Sequence, residues 1–112
     1  MNEATKATTG IGSQLTLPCG AALKNRLSKA AMTEGLADEN NRATPRHVTL
    51  YRRWAEGGAG MLLTGNVQVD RRYLERAGNV VIDGPQRPDQ LSALEAMAEA
   101  GTTANTELWM QI

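Results

Sequence analysis

Apolar positions along the chain change period several times, and each change marks an element. Leu15-Thr16-Leu17 alternates apolar and polar, Pro18-Cys19-Gly20 supplies a turn, and Leu23-Lys24-Asn25-Arg26 runs on from it. Two short segments on either side of a glycine-containing turn predict a β-hairpin with Gly20 at its bend. Leu27–Thr33 is small and mostly apolar. Propensity alone admits a helix there, since Ala and Met favour one; the resemblance described below makes it a strand. Glu34–Ala43 is polar and is expected to be a loop. From Thr44 the period lengthens. Val48, Tyr51 and Ala55 fall at i, i+3 and i+7, and Leu50 and Trp54 at i, i+4, which predicts an amphipathic helix. Thr44 suits the N-cap and Pro45 the first helical position, and Gly57-Gly58 closes the helix.

Gly60-Met61-Leu62-Leu63-Thr64 is short and apolar without alternation, the pattern of a strand buried on both faces of a parallel sheet. Val67–Arg87 is long and mixed, with a short strand expected at Val80-Val81-Ile82. Loops of this length inside a domain are usually functional or disordered. A second helix follows Pro88-Asp89, with Leu91, Leu94 and Ala98 on one face and Gly101 as its stop; Glu107–Ile112 then reads as a strand. With Leu27–Thr33 as a strand, the order is hairpin, strand, helix, strand, helix, strand. Alternation of this kind implies an α/β fold with a parallel sheet and right-handed crossovers. Residues 1–13, polar and without period, are expected to be a mobile arm, and residues 14–112 a single domain.

Composition narrows the function classes. At 112 residues the chain is small for an enzyme that must also enclose a cofactor. Twelve basic residues balance twelve acidic ones, so charge gives no reason to expect nucleic acid or an anionic membrane as partner. Cys19 is the single cysteine; it cannot form an internal disulfide or hold an iron–sulfur cluster, and a cytoplasmic setting is the simplest fit. The N-terminus lacks the apolar core of a signal peptide, and no apolar run of about 18 residues is present to span a membrane. Gly57-Gly58-Ala59-Gly60 follows a helix and precedes a strand, the reverse of a dinucleotide-binding loop, and reads as a tight turn. His47 has no Cys, Asp or Glu at metal-ligand spacing and is expected on the helix surface. Cys19 has no histidine beside it to activate it as a nucleophile. Glu95 and Glu99 read as solvated helix charges. The residues alone therefore lead to an α/β domain and no further.

Three stretches in order carry a longer match: Leu15-Thr16-Leu17-Pro18 through Leu23-Lys24-Asn25-Arg26 to Ala30-Ala31-Met32-Thr33; Tyr51-Arg52-Arg53-Trp54-Ala55-Glu56-Gly57-Gly58-Ala59-Gly60 with Leu62-Leu63-Thr64-Gly65-Asn66; and Leu108-Trp109-Met110-Gln111. Together they resemble the opening of the old yellow enzyme (NADH:flavin oxidoreductase) family. The resemblance implies the N-terminal part of a (β/α)8 TIM barrel, a lid hairpin plus about three βα strands, incomplete as given. It implies FMN bound noncovalently at the C-terminal ends of the strands, where such barrels place their sites.

By the same resemblance Ala31, Met32 and Thr33 end the first barrel strand against the flavin ring, small Ala31 letting the backbone approach and the Thr33 hydroxyl reaching the O4/N5 edge. Asn66 ends the second strand facing the flavin. Gln111 ends the third, its amide offering both the donor and the acceptor that the pyrimidine edge requires. The implied activity is ping-pong hydride transfer from NAD(P)H through FMN to an activated alkene or similar small-molecule acceptor, the cofactor carrying the chemistry. The family's substrate-anchoring pair, tyrosine proton donor, cation near flavin N1 and phosphate loops would all lie beyond Gln111. The chain alone is therefore expected to be inactive. Open strand edges should leave Leu62, Leu63, Trp109 and Met110 partly uncovered, favouring self-association or pairing with a missing C-terminal portion. The alternative is a noncatalytic α/β remnant or association module. An independent flavodoxin-like FMN binder is disfavoured, because no phosphate loop opens a helix after the first strand.

Overall fold

The computed structural model describes residues 9–112. Of the expected mobile arm, residues 1–8 lie outside the described residues; Ser13 closes a turn onto Gly10, and the Arg26 N–H donates to the Ile11 carbonyl at 2.8 Å. The hairpin forms as expected from β1 (Leu15–Thr16) and β2 (Ala22–Leu23), paired antiparallel. Gly20 sits at its bend with φ +95°, a conformation that costs glycine little.

Leu27–Thr33 contributes a strand, but its ladder is limited to β3 (Ser28–Lys29), which pairs parallel with Met61 and Leu62. Helix α1 (Pro45–Glu56) begins and ends where Thr44, Pro45 and Gly57 place it. Strand β4 (Met61–Gln68) is longer than the apolar run that announces it. Val67 and Gln68, expected in the following loop, belong to β4 because β5 (Val80–Val81) pairs with them. Helix α2 (Pro88–Gly101) leads through a 3-10 turn, Thr103–Asn105, into β6 (Glu107–Gln111). β4 is the hub: β3, β5 and β6 all pair with it in parallel.

The core lies between the sheet and the two helices, built on Ala43, Tyr51, Ala55, Leu62, Val67, Val80 and Met97. Three expectations change here. Leu62 is fully buried rather than uncovered, because its side chain joins this core. Helix α2 presents Met97, Ala100 and Gly101 inward, while Leu91 and Ala98 are exposed. The helix ends at Gly101 as expected, and the missing side chain there lets it touch the sheet: a Cβ would fall 2.6 Å from Leu108 Cδ2. His47, expected on the surface, is fully buried. Trp109 and Met110 do remain 41% exposed. No helix among the described residues is long and apolar enough to cross a membrane.

Candidate functional site at the strand ends

The C-terminal ends of the parallel strands gather the residues expected to face a flavin. Asn66 of β4 lies opposite Gln111 of β6, just past a register shift between Leu63 and Asn66. The shift is bridged by a side chain, the Gln111 N–H donating to Thr64 Oγ1 at 3.0 Å. The Gln111 side-chain amide donates to Asn66 Oδ1, so the two amides meet, and the Gln111 oxygen accepts from no donor among the described residues. Ala31, Met32 and Thr33 follow β3, which flanks β4. Ala31 is half-buried and Met32 is exposed. A Cβ on Gly65 would stand 2.5 Å from the Met32 carbonyl oxygen, so the segment lies directly against β4 beside Asn66. All five residues are thus brought to one end of the sheet. The Thr33 hydroxyl donates to Glu75 Oε2 at 3.0 Å; it can reach another acceptor only by exchanging that partner.

Beneath this face runs a polar network that periodicity does not reveal. Tyr51, fully buried, donates its hydroxyl to Glu34 Oε2. The Gly65 N–H points between them, 3.2 Å from Glu34 Oε2 and 3.2 Å from the Tyr51 oxygen. Glu34 therefore ties the residue after Thr33 to the residue before Asn66. Burial, and then the hydrogen bond to Glu34, push the Tyr51 phenol far above its ordinary range and keep it a donor. Trp54 meets Tyr51 edge-on at 5.2 Å, and Lys29 Nζ sits 4.3 Å above the Trp54 ring. Burial pushes the Lys29 pKa down, while Glu34 opposes that shift. Around the same loops Arg42 pairs with Asp38 and Asp89, and Arg71 with Asp83; such exposed pairs contribute little each.

No family model matches the chain. Curated relatives do. It is 44% identical over 79 residues to the NADH-dependent flavin oxidoreductase iliE of Hypocrea jecorina, covering 70% of this chain and 20% of that protein. It is 38% identical over 81 residues to the NADH-dependent flavin oxidoreductase iccE of Talaromyces variabilis, covering 72% and 20%. Among solved structures, the old yellow enzyme homologue from Zymomonas mobilis superposes with TM-score 0.75 at 18% identity, covering 91% of this chain and 27% of that one. Over about 70% of its length this chain resembles the old yellow enzyme (NADH:flavin oxidoreductase) family. Morphinone reductase, at TM-score 0.77 and 15% identity, covers 95% of this chain and 26% of its own. The old yellow enzyme of Pichia sp. AKU4542 gives 0.76 at 19% identity, with 89% and 25% covered. The fold is accordingly a part of the family's (β/α)8 barrel with an unclosed sheet, and the chain spans about a fifth of the length of these two curated relatives.

Against the family's site, the five residues taken from the resemblance share one face, whereas Glu34, Tyr51, Gly65, Glu75 and His47 escape sequence reading. Gly65 carried a legible signal, since an isolated glycine in a strand often marks close backbone approach. Glu34 and Glu75 carried none, because their partners are distant in sequence: 17 residues separate Glu34 from Tyr51 and 42 separate Thr33 from Glu75.

Proposed function

We propose that this chain supplies part of the flavin face of an FMN-dependent oxidoreductase that takes hydride from NADH or NADPH and delivers it to an activated alkene or similar acceptor. The observation that carries this reading is the meeting of the Asn66 and Gln111 amides at adjacent strand ends, with the Ala31–Thr33 segment against the same strand. The names of the curated relatives support flavin and NADH. The donor set fits one part of the cofactor: the Gln111 oxygen accepts from no donor among the described residues, and the Gln111 amide can exchange Asn66 for a ring edge that needs both a donor and an acceptor. When bound, FMN would supply the hydride-transfer chemistry. The protein residues would bind and orient it, with Ala31 and Met32 against the ring, Thr33 and Asn66 at its edge, and Glu34 keeping the two strand ends together.

Isolated chain should bind FMN weakly, because a ring edge alone provides few of the contacts that tight binding requires. In amide NMR spectra of the chain, FMN should shift Met32, Thr33, Asn66 and Gln111, and Gln111→Ala should diminish the response. Perturbations confined to other surfaces, or none at saturating FMN, would remove flavin from this face. Tight stoichiometric binding would show that the chain forms a complete site by itself.

The exposure of Trp109 and Met110 at 41% and of Ile112 at 80% favours a second reading, an association module. Apolar side chains on a sheet edge promote pairing with another chain. Sedimentation of the purified chain should show oligomers, reduced by Trp109→Lys; a monodisperse monomer counts against this reading.

A further inference from the structure

Helix α1 is held at its start in an unusual way. The Thr44 hydroxyl donates to the Leu36 carbonyl at 3.0 Å and also stands 3.2 Å from His47 Nδ1. A capping box is present, and in its reciprocal half the Thr44 backbone N–H donates to His47 Nδ1 at 3.0 Å. Glu or Gln usually fills this third helical position, reaching back to the N-cap N–H. A backbone N–H can only donate, so Nδ1 must present its lone pair and the ring proton must lie on Nε2. That Nε2 is buried and finds no partner among the described residues, although buried polar groups are nearly always satisfied. A glutamine would make the same cap without leaving an orphaned ring N–H. The histidine adds one property that glutamine lacks: it can take up a proton at the atom that does the capping.

We propose that His47 is an acid-sensitive latch on the start of α1: deprotonated, it holds the first helical turn to the preceding loop, and protonation of Nδ1 turns acceptor into donor and opens that turn. The charged groups that act on the imidazole are Glu34 from the loop after β3 and Arg46 from α1 itself. Burial pushes the His47 pKa below its ordinary value; Glu34 opposes this shift and Arg46 adds to it. The unfolded chain therefore binds the proton at higher pH than the folded one, and stability falls as pH drops below about 6.5. The turn that opens is joined to the strand ends, since Tyr51 on the same helix and Gly65 on β4 both hydrogen-bond to Glu34. The latch thus places the Thr33 and Asn66 face under the control of a single proton.

His47 is the only histidine in the chain, so its imidazole signals need no assignment by mutation. Nitrogen NMR at neutral pH should show Nδ1 bare and Nε2 protonated, with a titration midpoint below that of a free histidine. Amide exchange between pH 7 and 5, corrected for intrinsic rates, should show Thr44 losing protection by roughly five-fold, the loss that a cap of ordinary strength corresponds to. His47→Gln keeps the capping acceptor and should abolish this loss. A protonated Nδ1 in the neutral ring, a midpoint at or above the ordinary value, or equal loss of Thr44 protection in His47→Gln would each overturn the latch. Should His47→Gln fail to fold, the two measurements on the unaltered ring still decide.

Discussion

Gly65→Ala is expected to destabilise the chain by about 3 kcal/mol or more, the upper range for forcing atoms into a filled site. The new Cβ would stand 2.5 Å from the Met32 carbonyl oxygen and press on the Glu34 carboxylate. The first obstacle is backbone and cannot rotate away. The second already accepts hydrogen bonds from Tyr51 and from Gly65 itself. Relief would have to come from separating the Ala31–Thr33 segment from β4, which would also split the proposed flavin face. Urea unfolding followed by Trp54 and Trp109 fluorescence measures the loss. An unaltered midpoint would mean that the two segments are not held in contact.

Tyr51→Ala should cost about 3–5 kcal/mol, as for other large aromatic truncations in a core. Tyr51→Phe should cost about 1.5–3 kcal/mol, the range for losing a hydrogen bond to a charged group. The comparison separates the ring, which packs in the core cluster and against Trp54, from the hydroxyl, which serves Glu34 and Gly65. A loss in Tyr51→Phe below the noise of a denaturation curve would show that solvent replaces the hydroxyl and that the network holds little together. The pH dependence gives an independent check. The folded-state phenol titrates above its ordinary range, so the folded chain keeps a proton that the unfolded chain releases near pH 10. The Tyr51 contribution is complete below that pH and is lost as pH rises beyond it. Tyr51→Phe should remove this part of the alkaline destabilisation; an identical alkaline profile in both proteins would contradict the burial of the phenol.

The site stands on both sides of a divide between local and distant information. Asn66 and Gln111 were named from the family resemblance, and the apolar runs placed the strands that carry them: Gln111 ends β6, while Asn66 lies two residues inside the end of β4. Parallel pairing of β6 to β4 then sets the two residues side by side. Thr33 was legible as a position, but its partner was not: Glu75 sits in the long stretch after β4, where no period indicates direction. Helix α2 shows a different limit. Leu91, Ala93, Leu94, Ala96, Met97, Ala98 and Ala100 put apolar side chains on almost every face, so periodicity admits several inward stripes. The stripe that wins contains Gly101, where the absence of a side chain allows contact with Leu108.

By itself the sequence determined the hairpin, the buried strand that begins at Met61 and the boundaries of α1 at Thr44 and Gly57. Each rests on residues close together in the chain: a turn needs its glycine, a helix its cap, a buried strand its apolar run. Tertiary structure alone decided that His47 is buried rather than exposed, that Leu62 is covered, and that Glu34 joins Tyr51 to Gly65. Those outcomes depend on which distant residue arrives to satisfy a donor, accept a proton or exclude water. A polar side chain beside an apolar stripe looks the same in sequence whether it meets solvent or a carboxylate. Only the approach of β4 to the loop after β3 supplies the partner, and only the bare Cα of Gly65 allows that approach.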